Sequence, residues 1–93
     1  MKPVIKLRIL EILAGLEQDA VYRNGTPPVL EPRMHRFRQD VERLRIRCLE
    51  THPRAATEAE IRDRLERLIA QADGTLYRFR FVIQRAKEAL QQE

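Results

Sequence analysis

The chain contains no serine, which removes the nucleophile on which serine hydrolases depend. Its three glycines, Gly15, Gly25 and Gly74, stand too far apart for a P-loop or a dinucleotide-binding turn. A single cysteine, Cys48, can form neither an intramolecular disulfide nor a multi-cysteine zinc site, so a reducing cytoplasm is the expected home. Apolar runs are no longer than five residues even when Gly15 is counted, far short of the ~20 needed to span a bilayer. Lys6, Arg8 and Glu11 break what would have to be the apolar stretch of a signal peptide. Neither a secretion signal nor contact with a membrane is expected.

Chemistry-bearing clusters are equally scarce. His35 and His52 have no second histidine or cysteine at ligand spacing, and both read as surface residues. The carboxylates fall mostly at ion-pair spacing from arginines, so none is set in the apolar surroundings that raise a pKa for acid–base work. The expectation is a protein without catalytic residues, metal or cofactor, which acts by binding.

What is present is a 93-residue chain, 43% hydrophobic and 34% charged, with a net charge of +4. That mixture is too apolar for disorder, and the length suits one domain spanning 1–93 with a single core. Fifteen of its eighteen cations are Arg. Together with the missing serine, this composition suggests a GC-rich bacterial or phage genome.

Periodicity points to an all-α fold. Ile5, Ile9, Ile12 and Leu16 trace one helical face from Pro3 to Ala20, and Leu7, Leu10, Ala14 and Val21 trace a second, so this helix wants two neighbours. Asn24-Gly25, Pro27-Pro28 and Pro32 mark a loop over 23–32. Met34, Phe37, Val41, Leu44 and Cys48 form the cleanest heptad, which His52-Pro53 ends. Thr57 and Glu60 have the spacing of a capping box. It opens a third segment with Ile61, Leu65, Leu68 and Ala72 inside and the pairs Glu58/Arg62, Glu60/Arg64 and Asp63/Arg67 outside.

Leu76, Phe79, Ile83, Ala86 and Leu90 continue the same phase past Asp73-Gly74. The segment 57–91 is therefore either one continuous helix or two helices broken at Gly74 with Thr75 as cap, giving a small bundle of three long or four short helices. A continuous helix would outreach its neighbours and call for self-association.

Two surfaces stand out for binding. Arg33, Arg36, Arg43 and Arg47 share an exposed strip of the second helix, interrupted by Asp40. Guanidinium rows of this kind track phosphates or grip carboxylate-rich surfaces, although Arg36 to Asp40 and Arg38 to Glu42 are spaced to absorb part of the charge. The aromatics Tyr77, Phe79 and Phe81 alternate with Arg78 and Arg80. On a helix Tyr77 and Phe81 share one face and Phe79 another, which fits packing on two sides. Leu7, Leu10, Tyr77 and Phe81 are the candidate interface residues. The expected function is a non-enzymatic adaptor, assembly factor or inhibitor acting through protein–protein contacts, as a homo-oligomer or on a larger protein. The alternative is a basic helical subunit holding nucleic-acid backbone through the arginine strip.

Overall fold

The computed structural model describes residues 2–24, 31–50 and 57–91. Its helices are α1 (Pro3–Ala14), α2 (Ala20–Asn24), α3 (Glu31–Leu49), α4 (Glu58–Gln71) and α5 (Arg80–Gln91). Short 3-10 turns cover Gly15–Gln18 and Gly74–Phe79, and there is no strand among the described residues.

The four longer helices form a ring in which α1 touches α3 and α5, and α4 touches α3 and α5. Side-chain contacts fix the directions. Lys6 Nζ donates to the Glu50 carbonyl (3.3 Å), while Tyr22, farther along the chain, meets Phe37, farther back on α3. Arg47 meets Glu60 whereas Asp40 meets Gln71; Lys87 meets Glu66 whereas Arg80 reaches the Ile69 carbonyl. Each sequential pair is therefore antiparallel, the arrangement of an up-down-up-down four-helix bundle. The molecule measures 41 × 23 × 21 Å.

The expected core positions of the last three long helices are all buried, from Met34 through Cys48, Ile61 through Ala72, and Leu76 through Leu90. At one end of the core Phe37 and Phe79 stack with centroids 5.6 Å apart, and Tyr22 meets both edge-on at 6.5 and 5.9 Å. Such ring pairs add ~0.5–1.5 kcal/mol each beyond the area they bury.

The expected helix from Pro3 to Ala20 is in fact two. After α1 the chain tightens, and Asp19 adopts an extended backbone (φ −85°, ψ 123°). Its Oδ1 accepts from the amides of Val21 (2.8 Å) and Tyr22 (3.3 Å), the geometry of an N-cap. This restart aims Tyr22 into the core. The expected second stripe is corrected with it: α1 meets both neighbours through one broad face, Ile5, Ile9, Ile12, Leu13 and Leu16, while Leu10 and Val21 only lean on the core and Leu7 and Ala14 are exposed. The expected loop 23–32 is shortened at both ends, by α2 reaching Asn24 and α3 starting at Glu31. His52 and Pro53 lie outside the described residues.

The choice over 57–91 falls on the break, though Thr75 does not cap the next helix: it sits in the 3-10 turn Gly74–Phe79, and α5 starts at Arg80. Ala72 and Asp73 leave the helical region, and Gly74 takes φ +54°, a left-handed conformation that glycine adopts without a Cβ penalty. The chain then folds back, so α4 and α5 pack as a hairpin and no helix is left overlong. At the start of α4 the capping box is half made. Thr57 Oγ1 accepts from the Glu60 amide (3.2 Å), but the Glu60 carboxylate turns outward to Arg47.

Candidate functional site

The arginine strip of α3 is positioned by the heptad itself: burying Phe37, Val41, Leu44 and Cys48 turns the intervening Arg36 and Arg43 outward. Arg33 and Arg47, at its two ends, lean toward α4 and are held there. Arg33 pairs with Asp73 beside the Gly74 turn. Arg47 grips both oxygens of Glu60, at 2.7 Å from Nε and 3.1 Å from Nη2, and also pairs with Glu50. These bonds hold the Glu60 carboxyl below the usual carboxylate range and push the Arg47 guanidinium further up, Glu60 being the main cause. The two ends of the strip thus belong to the α3/α4 seam, and the readily accessible cations are Arg36 and Arg43.

The ion pairs expected within α3 form differently. Asp40 accepts from Gln71 of α4 (2.7 Å) and more distantly from Arg43 (3.5 Å), so it is not the partner of Arg36. Glu42 pairs with Arg45 (3.3 Å), which also approaches Glu17 (3.7 Å). Arg38 lies over the Tyr22 ring, 5.7 Å from its centroid. The outer pairs of α4 form as spaced: Glu58/Arg62 (2.8 Å), Asp63/Arg67 (3.0 Å) and the longer Glu60/Arg64 (3.7 Å).

Arg64 and Arg67, spaced for those pairs within α4, also join the strip from the other helix. With Asp40 and Arg43 they line a hollow of about 100 Å³ between α3 and α4. A second hollow of about 90 Å³ follows in the same groove, lined by Arg33, Arg36, Gln71, Asp73 and Leu76. The Gln71–Asp40 hydrogen bond stands between them. Only the antiparallel register of α3 and α4 brings these arginines together, and no spacing within either helix signals it.

The aromatic segment divides as its spacing predicts. Phe79 is 2% exposed and Phe81 62%. Tyr77, in the 3-10 turn, and Phe81, on α5, meet edge-to-face on the outside of the bundle with centroids 5.8 Å apart. The Arg80 guanidinium covers Tyr77 at 5.4 Å while donating to the Ile69 carbonyl, and Arg78 pairs with Asp19 (3.0 Å). Leu7 is also exposed, as are Val4, Ile46 and Leu49. The Lys6–Glu50 contact places Leu7 and Leu49 at the same level of neighbouring helices. Leu10, the fourth interface candidate, is half-buried against the core.

Cys48 is buried, and desolvation pushes its thiol up to about 11, so it behaves as a small hydrophobe at neutral pH. His35 is exposed and shares a hydrogen bond with Gln39 (3.1 Å). No group of three or more metal-ligating side chains occurs among the described residues, and no helix there is long and apolar enough to cross a membrane.

No family model matches the chain, and neither a curated protein nor a solved structure is significantly similar to it.

Proposed function

We propose that this protein is a small helical binding module, an adaptor, assembly factor or inhibitor that acts by covering a surface of another protein. The observation that carries the reading is the outer aromatic pair, Tyr77 in the 3-10 turn and Phe81 on α5, held edge-to-face and exposed by 48% and 62%. Large aromatics fixed in water raise solubility costs and contribute little to folding, and they are the residue types that anchor protein interfaces. Arg78 and Arg80 frame them with hydrogen-bond donors, as the polar rim of an interface does. Leu7, Val4, Ile46 and Leu49 supply a second apolar area at the level of the α1 N-terminus, suited to a partner in contact with two sides of the bundle.

The test is quantitative co-purification from native-host cells of the parent chain beside the Tyr77→Ala/Phe81→Ala variant, with circular dichroism to establish that both fold. The expected result is a stoichiometric partner that the variant loses at least tenfold. Equal recovery by both chains would refute the role given to these rings. Light scattering across concentrations asks whether the partner is a second copy, in which case the parent chain gains mass and the variant does not.

A further inference from the structure

The α3/α4 groove carries a different binding chemistry from the aromatic face. We infer that it is a cradle for the phosphodiester backbone of a nucleic-acid duplex, with Arg43, Arg64 and Arg67 around one phosphate and Arg36 reaching another. Three guanidiniums and one carboxylate converge on the larger hollow. That carboxylate, Asp40, is already satisfied by Gln71 and faces Arg43. The usual partners of the arginines are weak or engaged elsewhere. Glu60 gives both oxygens to Arg47 and lies 3.7 Å from Arg64 Nε, which is shut off from water and has no hydrogen-bond partner. Arg43 reaches Asp40 only at 3.5 Å, and Arg67 pairs with Asp63 where both are mostly exposed. Exposed pairs of this kind are worth ~0–1 kcal/mol, so an anion with several acceptor oxygens competes with them readily. Arg36 makes no ion pair among the described residues, and it lines the second hollow.

Arg36 and Arg43 are seven residues apart on one helix, roughly 10 Å at ~1.5 Å per residue, so with their long side chains they can meet two separate phosphates of one backbone, which a lone phosphate cannot offer. A groove lined by Arg, Gln, Asp and Leu76 offers no ring for unpaired bases to stack on, as single-strand binders do. Contacts would go to the backbone and carry no sequence preference.

Fluorescence anisotropy with a labelled 20-base-pair duplex between 50 and 200 mM salt tests this. With the two phosphates neutralised, the slope of log affinity against log salt is about −1.8, a loss of roughly 12-fold over that range. The Arg43→Gln/Arg67→Gln variant changes only exposed side chains; its slope falls to about −0.9 and its loss to about fourfold. Arg43→Lys/Arg67→Lys keeps most of the slope, and Phe81→Ala keeps binding entire, which separates this site from the aromatic face. Absence of duplex binding at 50 mM salt, a slope unchanged in the Gln variant whose fold is confirmed by its melting curve, or equal affinity for polyglutamate of similar charge would each overturn the inference.

Discussion

Two groups of aromatic rings, drawn in part from the same short segment, have opposite fates. Tyr22, Phe37 and Phe79 meet inside the bundle, where three elements distant in sequence converge on them. Tyr77 and Phe81 meet only each other and Arg80, on the outside of the bundle. Phe79 and Phe81 are two residues apart, so composition cannot explain the difference; the ~100° turn per helical residue does, once the bundle has chosen which face of α5 to bury. The inner trio holds the fold together. The outer pair contributes little to it, which is why it carries the functional proposal.

The comparison breaks most visibly if Phe79→Ala is tolerated. Deleting a fully packed ring costs about 3–5 kcal/mol, so denaturant unfolding should show the midpoint collapsing, and a loss below about 1 kcal/mol would mean that the trio is not the keystone. Tyr22 offers a titration of the same cluster. Desolvation first, and the nearby Glu17 carboxylate second, push its phenol from 10.0 up to about 12. A pKa raised by folding means stability that is complete below pH 10 and drains away as pH rises toward 12. Tyr22→Phe should remove that portion of the alkaline decline in melting temperature, and an unchanged decline would place the tyrosine in water.

Gly74 decides how α5 is presented, and it invites contrast with Gly15. A Cβ at Gly74 would meet only Arg33 Nη1 at 3.5 Å, an ordinary contact, but φ +54° opposes any L side chain. Gly74→Ala should therefore cost ~1–2 kcal/mol. Gly15 is right-handed (φ −61°) with nothing near its missing Cβ. Gly15→Ala should stabilise by ~0.4–1 kcal/mol through the unfolded chain, and opposite signs in paired melting curves are the check. The smallest effect belongs to the outer pair. Phe81→Ala should change stability by less than about 1 kcal/mol, the scale of one edge-to-face contact, while abolishing partner recovery; a larger loss would assign the ring a folding role.

The helical class and nearly all of the core were readable from the chain, because spacings of three and four residues report directly on which side chains share a helix face. Met34 to Cys48 and Ile61 to Ala72 are plain instances. Local breaks were less legible. Asp19 looks like any exposed acid until its side chain is seen capping α2, and Gly74 was compatible with hinge or helix until the left-handed backbone decided it. The arginine site was legible only by halves: the row on α3 stood out, yet Arg64 and Arg67 looked fully occupied by acids four residues away. Their placement opposite Arg43 depends on tertiary register, which hydrophobic spacing does not encode. The same cause redirected Glu60 from its own helix cap to Arg47.

The most direct test of the binding claim is site-specific photo-crosslinking in native-host cells, with a photoreactive phenylalanine at position 81 and, as reference, at position 63 on the outer face of α4. A single adduct of defined mass from position 81, absent from position 63, is the expected result. Position 81 giving no adduct, or both positions giving the same diffuse smear, would mean that the outer rings meet water and not a partner.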